Sequence, residues 1–284
     1  MSQYIEWAVD VAREAGAILL RFYDRGVGFE YKSRDGSGST AKPALLDADL
    51  VTEADRTSER HIIERLRGRF PEHDIVAEES GRRETGSDFR WYIDPLDGTT
   101  NFAHGFPVFC VSIGLEKGSE MIAGVVYDPT RDEMFTAERG GGAHLNNKKL
   151  VVSKVPRLLE SLTATGFPSA KRKQNPNIYY YHEVTLASHG VRRPGSAALD
   201  LCSVAAGRLE AFWEFRLGSW DCAAGKLMVE EAGGRVTDME GAPHNLKSDS
   251  IVASNGLIHA ELVELFGKIQ RGENLTPLPD RASH

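Results

Sequence analysis

Two hydrophobic periods alternate along this chain, and that alternation confines it to a layered α/β arrangement. Residues 4 to 23 place apolar side chains at Ile5, Ala8, Val9, Ala12, Ala15, Ile18, Leu19 and Phe22, the spacing of a helix with one buried face. A second amphipathic helix follows Thr52-Glu53-Ala54-Asp55, which resembles a capping box with Asp in place of Glu, and turns Ile62, Ile63, Leu66 and Phe70 inward. The period then shortens. Asp74–Ala77 and Trp91–Ile93 are apolar runs leading into carboxylates, as buried strands opening onto loops would be. Val108–Leu115, Met121–Tyr127 and Glu133–Ala137 read as strands, with turns at Gly118 and Asp128-Pro129. The second half repeats the alternation. It reads as strand Ser161–Thr165, helix Ala197–Ala206 capped by Gly195-Ser196, and strand Leu209–Phe215. A helix opened by Asp221 and ended by Gly233-Gly234, strand Ile251–Ser254 and helix Leu257–Ile269 follow. Gly26 to Leu46, rich in Gly, Ser and Lys, reads as a loop. No short repeat or long polar linker divides the chain. A single globular unit over residues 1–284 is expected, with an α+β half at 1–152, an α/β half at 153–268 and a frayed tail at 269–284.

The chemistry is concentrated in Trp91-Tyr92-Ile93-Asp94-Pro95-Leu96-Asp97-Gly98-Thr99-Thr100-Asn101-Phe102. A strand ends in a carboxylate, proline enforces an extended turn, a second carboxylate follows, and Gly98 permits a tight bend toward two hydroxyls. Two carboxylates converging in a rigid turn repel each other, and a divalent cation with a preference for hard oxygen ligands relieves that repulsion. An Asp-rich turn capping a helix would give the same local pattern. Ala77-Glu78-Glu79-Ser80, at the end of a strand, and Trp220-Asp221, at the start of a helix, add further carboxylates at the mouths of separate elements. A solvated acidic turn and a plain N-cap are their plainer readings.

In this order the motifs resemble the inositol monophosphatase family of Mg²⁺-dependent, Li⁺-sensitive phosphatases. The resemblance rests on Asp94-Pro95-Leu96-Asp97-Gly98-Thr99-Thr100 with Trp220-Asp221. Asp49-Leu50-Val51-Thr52-Glu53-Ala54-Asp55, Glu78-Glu79-Ser80 and Gly195-Ser196-Ala197-Ala198 support it, and it spans residues 4 to 268. It implies an αβαβα sandwich and two to three Mg²⁺ ions. Glu78, bridging Asp94 and the carbonyl of Leu96 would hold the first ion, and Asp97 with Asp221 the second. A third would sit by Glu78 with help from Asp49, and Asp49 with Thr99 would orient the attacking water. The N–H groups of Gly98 and Thr99 would bind phosphate, and Gly195, Ser196, Ala197, Glu214 and Asp221 would meet the substrate. The implied activity is hydrolysis of inositol 1-phosphate and similar polyol phosphates. Histidinol phosphate, fructose 1,6-bisphosphate and 3′-phosphoadenosine 5′-phosphate stand as alternatives, and a metal-dependent regulatory partner as the non-enzymatic one. A homodimer is also implied, and the apolar residues from Val108 to Phe135 are candidates for its interface.

Composition narrows the partners. With 34 Lys and Arg against 41 Asp and Glu, the formal charge of −7 repels polyanions, so neither nucleic acid nor an anionic membrane is expected as a general partner. No run approaches the roughly 18 apolar residues of a spanning helix, and the start lacks a basic segment followed by an apolar one, so a cytoplasmic protein is expected. Cys110, Cys202 and Cys222, odd in number and set among apolar residues, read as reduced core thiols. Ser33 to Asp47 is longer than the usual join before the Asp49-Leu50-Val51-Thr52 motif and reads either as a flap over the site or as an idle insertion. Lys171, Arg172, Lys173, Arg192 and Arg193 read as a solvated basic face that a second phosphate could use.

Overall fold

The computed structural model describes residues 2–25, 29–32, 49–167, 175–273 and 275–277, with the backbone alone for 29–32 and 49–52. Helix α1 (Gln3–Tyr23) takes the predicted span. A hairpin of β1 (Phe29–Lys32) and β2 (Asp49–Thr52) follows, so part of the expected loop is an antiparallel strand. Helix α2 (Glu53–Arg69) leads into β3 (Asp74–Ala77), β4 (Gly81–Arg83), β5 (Phe89–Asp97) and the short α3 (Thr99–Ala103). Strands β6 (Cys110–Lys117), β7 (Glu120–Asp128), β8 (Glu133–Glu138), β9 (Gly142–Leu145) and β10 (Lys148–Lys149) then run as a meander. The remainder is β11 (Leu162–Thr165), α4 (Asn177–Ala187), β12 (Gly190–Arg192), α5 (Ala197–Ala205), β13 (Ala211–Phe215), α6 (Ser219–Glu231), β14 (Arg235–Thr237), β15 (Ser250–Ser254) and α7 (His259–Gln270).

These elements stack in five layers. An eight-stranded sheet, ordered β10-β9-β8-β7-β6-β5-β3-β4, is covered on one face by α1 and α2. Its other face packs on α5 and α6, which in turn cover a five-stranded sheet ordered β12-β11-β13-β15-β14. Helices α4 and α7 close the far side, where Tyr180, Val184, Leu262 and Phe266 pack with Trp213 and Val252 of the second sheet. The alternation of side chains along β5 shows why its apolar run is unbroken. Trp91 and Ile93 join the core under α1 and α2, whereas Tyr92 joins the core under α6. The apolar residues between Val108 and Phe135, offered above for a dimer interface, are consumed by the same two cores, with Val111, Val125, Val126 and Phe135 at most 1 % exposed. They are therefore unavailable to a partner.

One anchor lies at the end of the sheet opposite the carboxylate-rich end. Asp74, at the start of β3, is buried, which by itself raises a carboxyl pKa. It accepts hydrogen bonds from the Thr85 N–H (2.7 Å) and hydroxyl (2.9 Å) and from the Arg90 guanidinium (3.0 Å), and together these hold it at about 2. Because the folded-state pKa lies below the unfolded value of 3.8, the stabilisation is present above that value and lost as pH falls toward 2. Asp74→Asn is expected to cost about 2 kcal/mol in urea melts at neutral pH, and the two melts should converge toward pH 2.

Candidate active site

The site grows from the carboxyl end of β5. Register against β6 pairs Asp94 with Ser112 and then Asp97 with Cys110, so the strand bulges through Pro95 and Leu96. The turn is held from three sides. The Leu96 N–H donates to Asp94 Oδ1 (3.0 Å), the Thr99 hydroxyl donates to the Leu96 carbonyl (3.1 Å), and the Ser58 hydroxyl of α2 donates to the Pro95 carbonyl (3.1 Å). Gly98 follows at φ = 96°, and a Cβ there would lie 2.7 Å from the Val108 carbonyl oxygen. Conformation and space both require glycine at this bend.

Helix N-termini supply the rest of the frame. Asp97 Oδ2 accepts from the Ser196 hydroxyl (2.6 Å) and from the Ala198 N–H (2.7 Å) at the start of α5. Asp221, in the first turn of α6, accepts from the Gly218 N–H (2.6 Å). Oxygens of Asp94, Asp97 and Asp221 lie within 4.8 Å of one another, and so do those of a second group, Asp55, Glu78 and Glu79. Asp94 is buried, and burial, then Glu78, Asp97, Asp221 and Asp55, push its pKa well above the carboxylate range. Burial raises Asp97 as well, against the pull of its donors. Burial and the charges of Asp97 and Glu78 push Asp221 up to about 8. The donor set is therefore all oxygen, crowded and short of positive charge, which fits a hard divalent cation.

The expected residues divide by position. Glu78, Asp94, Leu96, Asp97, Thr99 and Asp221 meet around this centre. Asp49 is on β2, and its side chain lies outside the described residues, as does the whole segment 33–47. The carboxylate found beside Glu78 is Asp55, which the sequence reading counted only as a capping residue. A signal for it exists: Asp55, Ser58 and Glu59 extend the inward stripe of Ile62 and Leu66 along α2, so three polar side chains occupy a buried helical face. Glu59 uses its carboxylate to accept the Glu79 and Ser80 N–H groups (2.8 Å each), fixing the loop that presents Glu78. Ser196, expected at the substrate, is 1 % exposed and spends its hydroxyl on Asp97 while capping α5 at the Leu199 N–H.

A cavity of about 430 Å³ opens beside the first cluster. Asp97, Asp221, Gly195, Ala197 and Glu214 line it, with Arg193 and Asp200 as further lining groups. A larger groove of about 880 Å³ runs past Arg90, Arg139 and Lys226, but it contains none of the clustered carboxylates. Its Arg90 and Arg139 are already paired with Asp74 and Glu230. The three cysteines are buried and free, as expected. Among the described residues no helix is long and apolar enough to cross a membrane.

A five-layer sandwich whose strand ends and helix starts gather carboxylates beside a cavity large enough for a small phosphate ester defines a metal-dependent phosphatase class. The family model for the inositol monophosphatase family matches residues 1–271. The chain is 43 % identical over 264 residues to an inositol-1-monophosphatase of Synechocystis sp., covering 92 % of this chain and 88 % of that protein. It is 41 % identical over 265 residues to a Haemophilus influenzae protein named Nus factor SuhB, covering 93 % and 95 %. The structure of the extragenic suppressor protein SuhB from Bartonella henselae superimposes with a TM-score of 0.85 at 40 % identity, covering 94 % of this chain and 99 % of that one. The chain belongs to the inositol monophosphatase family, and it is a phosphoric monoester hydrolase.

Proposed function

We propose that this protein is a Mg²⁺-dependent phosphomonoesterase that hydrolyses inositol 1-phosphate and similar polyol phosphates to alcohol and phosphate. The observation that carries the reading is a cluster of three carboxylates, Asp94, Asp97 and Asp221, beside a cavity that Asp97, Asp221 and Glu214 line together. Glu78, Asp94 and the Leu96 carbonyl would hold one Mg²⁺, Asp94, Asp97 and Asp221 a second, and Glu78 with Asp55 a third. When bound, such ions lower the pKa of a water and neutralise phosphoryl and leaving-group oxygens. The chain supplies the positioning. Thr99, tied to the Leu96 carbonyl, and Asp55, facing Glu78, flank the place for the attacking water. The Gly98 and Thr99 N–H groups belong to the turn that starts α3 and suit a phosphate. Ala197, at the start of α5, and Glu214 suit the substrate hydroxyls.

The test is phosphate release from inositol 1-phosphate, histidinol phosphate, fructose 1,6-bisphosphate and 3′-phosphoadenosine 5′-phosphate, with Mg²⁺, with and without Li⁺. Fastest turnover of inositol 1-phosphate, dependent on Mg²⁺ and inhibited by Li⁺, is the expected result. Preference for histidinol phosphate would overturn the substrate, and turnover of none would overturn the enzymatic reading. Relatives named Nus factor SuhB favour one second reading, a regulatory role alongside catalysis. A cytoplasmic homodimer is part of the proposal. Three reduced thiols suit that compartment, and the exposed Ile178, Tyr179 and Leu186 on α4 offer an apolar face to a second copy.

A further inference from the structure

The leaving-group end of the cavity holds a second buried carboxylate that the reading above leaves unused. Asp200, in the first turn of α5, is 3 % exposed and lines the cavity with Glu214, which is 7 % exposed on β13. Among the described residues neither carboxylate receives a hydrogen bond or an ion pair. Buried polar groups are ordinarily satisfied, so two acceptors that open on one cavity and receive no donor from the described residues suit donors carried by a ligand. Glu214 is seated there by Gly166, where a Cβ would lie 2.0 Å from its Oε2. Burial, followed by the charges of Glu214 and Asp97, raises the Asp200 pKa, consistent with a carboxyl that lacks compensating donors. Among the described residues that line the cavity the cation is Arg193, which sits 5.1 Å over the Phe167 ring and whose charge acts on Glu214.

We propose that Asp200 is a specificity-determining residue that acts with Glu214 to accept hydrogen bonds from the leaving alcohol. The site then favours phosphate esters whose alcohol carries hydroxyl or ammonium donors beside the ester oxygen, and disfavours esters without them. A leaving group with a second phosphate would bring negative charge against both carboxylates. This inference rests on the phosphatase reading above.

The experiment compares wild type with Asp200→Asn on three esters in Mg²⁺. They are inositol 1-phosphate with hydroxyl donors, phosphoethanolamine with an ammonium donor, and p-nitrophenyl phosphate with neither. The expected result is a fall in kcat/KM of about tenfold or more on a donor-bearing ester, mainly through KM, with p-nitrophenyl phosphate unchanged within about twofold. Which ester falls identifies hydroxyl or ammonium as the donor. Equal changes on all three, or no change on any, would overturn the proposal. A measurement on wild type alone covers the case in which the variant does not fold. Free inositol should inhibit p-nitrophenyl phosphate hydrolysis competitively and cyclohexanol should not, and equal inhibition by both would overturn the proposal. Wild type inert toward all three esters would instead overturn the phosphatase reading beneath it.

Discussion

Asp94→Asn is expected to lower phosphate release by about 10³-fold or more while leaving the protein folded. Asparagine keeps the shape of the side chain and can still accept the Leu96 N–H, so the bulged turn survives. What it removes is the charge at the centre, the one carboxylate that burial and four acidic neighbours all act upon. Without metal that charge is a liability, so the variant should melt at a higher temperature than wild type in a chelating buffer. With Mg²⁺ the order should reverse. Ion binding at a hundredfold excess over Kd stabilises wild type by about 2.7 kcal/mol, a gain the variant should lack. The pH dependence carries the same sign. Asp221 is raised from 3.8 to about 8 in the folded chain, so the unfolded state releases its proton first. Metal-free wild type should therefore lose stability as pH rises from about 4 to about 8, as linkage requires for a raised carboxyl. Thermal melts with and without Mg²⁺ across that range, together with phosphate release, make the measurement. Near-wild-type hydrolysis by the variant would remove Asp94 from the site.

The layers were legible in the sequence wherever one face of an element is buried and its neighbours are wet. Helix α1 and strand β3 match their predicted spans because their apolar residues keep a single period. Helix α4 was not legible, because Tyr180 and Val184 are buried while Ile178, Tyr179 and Leu186 are exposed, leaving it apolar on both faces with no period to detect. Strands β4 and β10 were missed for the opposite reason: Gly81-Arg82-Arg83 and Lys148-Lys149 are exposed edge segments with no apolar signal at all. At the site, the turn around Asp94 and Asp97 was readable because proline and glycine narrow its conformation and the carboxylates then have few directions to face. The contributions of Ser196 and Glu59 were not readable. Each acts through a hydrogen bond to a residue distant in sequence, Asp97 in one case and the Glu79–Ser80 backbone in the other.

Asp55 and Asp49 provide the sharpest test of this difference, since both are aspartates of one motif with five residues between them. Asp55 is buried in the first turn of α2, with a carboxylate oxygen within 4.8 Å of those of Glu78 and Glu79 and near enough to Asp94 to raise its pKa. That position places a general-base or water-orienting carboxylate at the junction of the two clusters. Asp55→Asn is therefore expected to lower kcat by about 10²- to 10³-fold, the range for loss of a positioned acid–base group. KM for inositol 1-phosphate should change little, because the cavity toward Glu214 is untouched. Asp49→Asn is the comparison, since the resemblance gives Asp49 the water-orienting role with Thr99 and its strand β2 packs against α3. Steady-state kinetics of the two variants in saturating Mg²⁺, with circular dichroism to verify folding, decide the matter. A large loss in Asp49→Asn with near-normal Asp55→Asn would return the water-orienting role to Asp49. It would also mean that the carboxylate beside Glu78 serves the fold of α2 and not the chemistry.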